Sequence, residues 1–286
     1  CTEYKPLGDF ERKSSRRKSS GVVRFTAPSF RVLIVDDNST NLKVAEGLLS
    51  PYMMSIDTCK SGEESVARAR ENEYDLVLMD HMMPGIDGIE AAHVIRALGG
   101  WRAKLPIVAL TANAVSGMRE MFLKNGFDDF LSKPIEIAKL NRLIEKWVPE
   151  EAKRAVSAAS ATNDAKDQPV FPEISGLDVA AGIAITGGTV ENYRSVLEIY
   201  CRDAELRVAS VNLSKAQDDL KNFTANVHAL KSASASIGAN ALSEEAAYLE
   251  DAGKRGDTEA IRERVDAFRG GVSDLIGRIQ RMDELK

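Results

Sequence analysis

Cysteine is scarce in this 286-residue chain: Cys1, Cys59 and Cys201 stand far apart, with no CxxC pair. That excludes a disulfide framework and a thiolate zinc site, and it predicts a reduced, cytoplasmic setting. No apolar run approaches the roughly 18–20 residues of a membrane helix. The chain itself is therefore expected to make no membrane contact, while anchoring of a longer parent protein stays open. An initial Met and a basic-then-apolar signal segment are both missing, so the sequence reads as a piece of a longer polypeptide. Lipid attachment at Cys1 after processing is the alternative. Glycine boxes for nucleotide binding are lacking, so ATP binding is not expected. Net charge is −5, against a general nucleic-acid binder.

What is present is the composition of globular domains, 44% hydrophobic and 28% charged. The length suffices for two domains, each with its own core. Residues 1–29 are net basic, with Lys5, Arg12, Lys13, Arg16, Arg17, Lys18 and Arg24 against Glu3, Asp9 and Glu11. They read as an exposed connector, a basic patch for membrane or nucleic acid being the sharper alternative.

The stretch 74–88, Tyr-Asp-Leu-Val-Leu-Met-Asp-His-Met-Met-Pro-Gly-Ile-Asp-Gly, organises the first domain. Leu76 to Met79 is an apolar run suited to a strand buried on both faces, and it stops at Asp80 before Pro84, Gly85 and Gly88. Upstream, Arg31 to Val35 is a strand ended by Asp36 and Asp37. Asn38 or Ser39 caps a helix carrying Leu42, Val44, Ala45, Leu48 and Leu49. Strands follow at Ile56 to Cys59, Pro106 to Leu110 (ending at Thr111) and Asp129 to Leu131 (ending before Lys133). Helices are expected at Gly62 to Asn72, Ile89 to Leu98, around Met118 to Phe122, and Ile135 to Trp147. Five strands alternating with five helices predict a parallel sheet covered on both faces.

Asp36, Asp37, Asp80, Thr111 and Lys133 then converge on the carboxyl edge of the sheet, where ligands bind in open α/β folds. Three clustered carboxylates repel unless a cation holds them. A hard divalent ion such as Mg²⁺ fits, because it takes one or two carboxylates and leaves positions for phosphoryl oxygens. With the Thr111 hydroxyl and the Lys133 charge added, the set suits phosphoryl transfer to a carboxylate. His81 is expected to be a loop residue, since consecutive side chains at a strand end diverge. His93 is expected at a helix surface.

Val35-Asp-Asp-Asn38, Leu78-Met-Asp-His-Met-Met-Pro-Gly-Ile-Asp-Gly88, Leu110-Thr-Ala112 and Ser132-Lys-Pro134 together resemble the receiver domain of two-component response regulators and hybrid histidine kinases, over about residues 30–148. The resemblance implies a flavodoxin-like five-stranded fold and an Asp80 phosphorylated by a phosphohistidine. It implies Mg²⁺ held by Asp37, Asp80 and the Met82 carbonyl, with Asp36 acting through water. Lys133 would pair with the phosphoryl group, and Thr111 and Phe130 would form the switch. Phe130 lacks a hydroxyl, so it would act by packing alone.

Residues 149–172 have linker composition, enough to span roughly 25–30 Å and let two domains meet at about millimolar effective concentration. From residue 173 to 286 the pattern is helical: about Asp178 to Ile185, Val190 to Val211, Ala216 to Ile237, Ala241 to Ala252 and Asp257 to Met282. That predicts an up-and-down four-helix bundle. Phe223, Val227, Leu230, Ser234 and Ile237 form its inward seam. His228 falls one position off that seam, with Lys231 on the same exposed flank. The string Val227-His-Ala-Leu-Lys-Ser-Ala-Ser234 with Gly238 resembles the phosphoacceptor segment of histidine phosphotransfer (HPt) domains, with Ser232 where that family often has Gly. This implies that His228 accepts phosphoryl, with Lys231 neutralising the arriving charge.

The expected function is a phosphorelay: from a histidine kinase core outside this chain to Asp80, then His228, then a downstream response regulator receiver. Two rivals remain. One is a phosphorylation-switched module whose bundle docks partners without transfer; the other is an aspartyl-phosphate phosphohydrolase, which usually has an acid where Met82 stands. Transfer within one chain or between chains, and oligomeric state, stay open.

Overall fold

The computed structural model describes residues 23, 25–112, 118–155 and 171–283. Most of the basic connector and the middle of the linker lie outside the described residues. Five strands form one sheet, in spatial order β3 (Ser55–Cys59), β2 (Arg31–Val35), β4 (Leu76–Asp80), β5 (Ile107–Thr111) and β6 (Asp129–Ser132). Every pairing in it is parallel, as alternation with helices requires. The helices that cover it are α1 (Ser39–Leu49), α2 (Gly62–Glu71), α3 (Gly88–Ala97) and α4 (Met118–Lys124), which connect successive strands, and α5 (Ile137–Trp147), which follows the last. Asn38 is the cap of α1, its side chain accepting from the Thr40 N–H.

The two-residue period of the strands divides the core. Leu33, Val35, Val77, Met79, Ile107 and Ala109 pack with α2 and α3 on one face. Val32, Ile34, Leu76, Leu78, Val108 and Leu110 face the other way, towards α1 and α5.

This second cluster does not end at the receiver surface. It runs through α1 into the helical half, taking in Val190, Tyr193, Leu197, Tyr200, Phe223 and Val227. Two separate cores were expected, but α1 is buried almost all round, including Thr40, Asn41, Val44, Ala45, Gly47 and Leu48. A helix apolar on more than one face must be covered on more than one face.

The ends of the connector and linker are also structured. Strand β1 (Phe25–Thr26) pairs antiparallel with β7 (Arg154–Ala155). Phe25 packs on Tyr52 with ring centroids 5.4 Å apart, and Ala27 is fully buried. Phe25 and Ala27 anchor β1 beside Tyr52, and the exposed β7 pairs with it. At the far end of the linker Phe171 is buried against Tyr193.

The helical half comprises α6 (Val179–Ile185), α7 (Val190–Val208), α8 (Leu213–Asp218), α9 (Leu220–Ser236), α10 (Asn240–Arg255) and α11 (Thr258–Asp283). The expected single helix from Ala216 is broken at Asp219, whose side chain caps α9 by accepting from Asn222 N–H. A short acid that satisfies the next helix's amides competes with helix continuation. Helix α10 runs past Gly253, where a stop was expected, to Gly256, whose φ is +71°. Gly253 instead permits close approach, since a Cβ there would lie 2.3 Å from Thr224 Oγ1 of α9. The inward seam of α9 is buried throughout, and Tyr200 Oη lies 3.2 Å from Ser234 Oγ.

Candidate functional site

Strands β2, β4, β5 and β6 end at one edge, and the side chains just past or at their ends meet there. Carboxylate oxygens of Asp36, Asp37 and Asp80 lie within 4.8 Å of one another. Lys133 Nζ donates to Asp36 Oδ2 at 2.5 Å and to Asp80 Oδ2 at 2.6 Å. Thr111 is fully buried at the end of β5, and its carbonyl accepts from Lys133 N–H at 2.7 Å. Met82 donates its backbone N–H to Asp80 Oδ1 at 3.1 Å. Phe130 is half-buried and stacks on Phe122 at 6.3 Å.

Charge is unevenly shared in this cluster. Burial pushes the Asp36 carboxyl up to about 7, against the pull of Lys133 and with the repulsion of Asp80 and Asp37 added. Burial opposes ionisation of Asp80 too, but Lys133, His81 and His228 outweigh it and hold that carboxyl well below the usual range. Lys133 stays charged despite its burial, its ammonium held above the ordinary lysine range by Asp36 and Asp80. The three-acid cluster is served from within the receiver by one lysine ammonium, that of Lys133. Its oxygen donors and spacing fit a hard divalent cation.

The opposite wall of the site is α9. His228 is buried, 3% exposed, with Nδ1 2.9 Å from Glu250 Oε1 on α10. Lys231 and Lys254 also donate to Glu250. Burial alone would raise Glu250, yet hydrogen bonding and charge from His228, with the two lysines, hold it below the ordinary carboxylate range. An ionised carboxylate only accepts, so Nδ1 bears a hydrogen, and in the neutral form of the ring Nε2 is the nitrogen that keeps its lone pair. Nε2 is buried and has no hydrogen-bond partner among the described residues.

The expectation of a solvent-exposed His228 is thus corrected: α10 and the receiver edge both cover it. Lys231, expected to meet an arriving phosphoryl group, holds Glu250. It still lines a cavity of about 560 Å³ together with His228, Lys133, His81, Ala112 and Glu250. His81 likewise turns towards the site. Its Nδ1 lies 3.0 Å from the Leu110 carbonyl and 3.6 Å from Asp80 Oδ1. Its ring is 6.4 Å from that of His228 and 5.3 Å from that of Phe122. His93 is exposed.

Several contacts join the two walls. Asn38 Nδ2 donates to the Ala229 carbonyl at 3.1 Å, and Asn41 Nδ2 to Ser232 Oγ at 3.0 Å. Asp203 Oδ2 accepts from Ser39 N–H at 2.7 Å, and Arg207 Nη2 donates to Asp37 Oδ2 at 2.8 Å. Glu250, Asn41, Asp203 and Arg207 were not singled out in the sequence. Their partners lie on other elements, and the available signal was a polar or charged residue beside a buried row, as with Glu250 next to Leu249.

Residues 32–145 match the family model of the response regulator receiver domain, and residues 195–282 match that of the Hpt domain. Signal transduction histidine-protein kinase BarA of Shigella flexneri is 34% identical over 168 residues, covering 59% of this chain and 18% of that protein. Sensor protein GacS of Pseudomonas syringae pv. syringae is 31% identical over 208 residues, covering 71% of this chain and 22% of that protein. The chain thus spans about a fifth of the length of these curated relatives. Among solved structures, the receiver domain of a Pseudomonas aeruginosa sensor histidine kinase, with magnesium coordinated in its active-site cleft, is 37% identical. That match covers 42% of this chain and 97% of the other, with a TM-score of 0.39.

Proposed function

This chain belongs to the response regulator receiver and Hpt families, a pairing that serves phosphorelay signalling, and we propose that it passes phosphoryl from Asp80 to its own His228. The observation that carries this reading is the buried Nε2 of His228, without a partner among the described residues, on the wall facing the Asp80 edge. Asp80 first accepts phosphoryl from a phosphohistidine of a kinase core, in the cytoplasm. The Nε2 lone pair of His228 then attacks phosphorus as the bond from phosphorus to the Asp80 oxygen breaks. Asp80 departs as a carboxylate, and Lys133 is positioned to hold that charge. The Nδ1 proton stays on the ring, directed at Glu250, which stabilises the cation that forms. His228 subsequently serves a downstream response regulator receiver.

Asp36, Asp37 and Asp80, with the Met82 carbonyl as the family pattern implies, would hold Mg²⁺. When bound, the ion neutralises phosphoryl oxygens at the cluster. Thr111 and Phe130 form the switch pair in this reading, Phe130 acting through its stacking on Phe122.

Treatment of the chain with acetyl phosphate and Mg²⁺, followed by acid and base lability of the label, tests the relay. Base-labile label that requires Asp80 should appear first, then acid-labile, base-stable label that requires His228. The His228→Gln chain should keep the first label and its helical circular dichroism. Label that never leaves Asp80 in the unaltered chain sinks the proposal and favours a docking bundle without transfer.

A further inference from the structure

The end of α7 reaches into the receiver's acidic cluster. Asp203 and Arg207 stand four residues apart, so both side chains leave the same face of the helix. Asp203 takes the Ser39 N–H at the start of α1, while Arg207 Nη2 donates to the Asp37 carbonyl at 2.7 Å and to Asp37 Oδ2 at 2.8 Å. The other Arg207 nitrogen, Nη1, lies 3.5 Å from Asn226 Oδ1. The side chains of Arg207 and Asp37 are only 16% and 12% exposed, so the pair is poorly screened compared with a surface ion pair.

Positive charge therefore reaches the cluster from two sources. Lys133 serves Asp36 and Asp80 from within the receiver, and Arg207 serves Asp37 from the bundle. The second contribution exists only while the two halves are docked. We propose that Arg207 is a docking residue that competes with a divalent cation for Asp37, so that domain closure and cation binding oppose each other. The inference rests on reading Asp36, Asp37 and Asp80 as the cation site.

The opposition follows from the shared carboxylate. In the docked chain one oxygen of Asp37 is already committed to a guanidinium, and an arriving Mg²⁺ adds like charge within a few ångströms of it. Linkage makes the effect reciprocal: if docking weakens the cation, the cation weakens docking by the same factor. Couplings between such sites are typically about 5–150-fold. Opening would uncover the His228 and Ser232 face of α9, which the chain's own receiver now covers. A second receiver needs that same face, so cation loading would hand it over.

Titration of the intact chain with MgCl₂ in an isothermal calorimeter tests this, with small-angle X-ray scattering to follow opening. Arg207→Gln should bind Mg²⁺ about tenfold tighter than the unaltered chain, on the scale of ordinary site coupling. Arg207→Lys, which keeps the charge, should stay near the unaltered value. Ser232→Leu, which wedges the halves apart while leaving Arg207 and the carboxylates intact, should bind Mg²⁺ about as tightly as Arg207→Gln. Equal affinities for the unaltered chain and Arg207→Gln overturn the inference. So does Arg207→Lys behaving like Arg207→Gln, or an opened Ser232→Leu chain without tighter binding. Failure of the relay itself would show separately, as label that never reaches His228 while these affinities keep their order. No Mg²⁺ binding by any variant would overturn the cation site and this inference with it.

Discussion

Glu250 Oε1 lies 2.9 Å from Nδ1 of His228, and that one contact sets which ring nitrogen is left to react. The carboxylate can only accept, so in the neutral ring it keeps the proton on Nδ1 and the lone pair on Nε2. Glu250→Gln keeps an acceptor but removes the charge that stabilises the ring as it becomes cationic. Transfer from Asp80 to His228 should slow by roughly 10–100-fold, the scale of losing a histidine's orienting partner. Label at Asp80 should form as before. Quench-flow measurement of the two labels checks this, and an unchanged transfer rate would leave Glu250 a purely structural role.

The same residue shapes the acid limb of stability. Its carboxyl is held below the ordinary range, so the folded state binds a proton there less readily than the unfolded chain. The resulting stabilisation is complete above the unfolded value of roughly 4.3 and is lost as pH falls through the lower folded value. The melting temperature of the unaltered chain should therefore drop more steeply below about pH 4.5 than that of Glu250→Gln. Parallel profiles would contradict the assignment.

Removal of Lys133 leaves Asp36 and Asp80 buried without their shared ammonium. Lys133→Met in chelator should lose about 3–5 kcal/mol, as expected when one partner of a buried ion pair is deleted. Millimolar Mg²⁺ should restore part of that by binding the folded state alone. Urea denaturation with and without the ion measures both effects. Indifference to Mg²⁺ would argue that the cluster does not bind it.

Docking within one chain predicts that the second transfer ignores protein concentration. The rate at which label reaches His228 should be constant over a hundredfold dilution, about as an intramolecular step requires. An equimolar mixture of Asp80→Asn and His228→Gln chains at low micromolar concentration should yield little acid-labile label. Full complementation in that mixture would place transfer between chains.

Gly238 tests the joint between α6 and α9. Its φ is +84°, and a Cβ would fall 2.3 Å from the Asp178 carbonyl oxygen. Gly238→Ala should cost at least about 2 kcal/mol, combining left-handed strain with the clash. Gly188 has a similar φ of +82° but open space around it. Gly188→Ala should cost only about 1 kcal/mol, the strain alone. Equal losses in urea melts would mean that the contact with Asp178 carries nothing.

The sequence by itself determined the elements and most of the receiver edge. Apolar runs bounded by acids and glycines mark the strands, and because parallel strands all end on one side, Asp36, Asp37, Asp80, Thr111 and Lys133 had to meet. Local pattern also places the seam of α9 and, through it, the rotational position of His228. Tertiary structure alone decided how the halves join. The apolar excess of α1 does not say what covers its second face, and a linker composition does not reveal that Phe25 and Thr26 pair with Ala155 and Arg154. The burial of His228, its bond to Glu250 and the reach of Arg207 to Asp37 join residues far apart in the chain. Such contacts have no period to read, because they depend on the relative placement of whole packed elements rather than on the spacing of side chains within one.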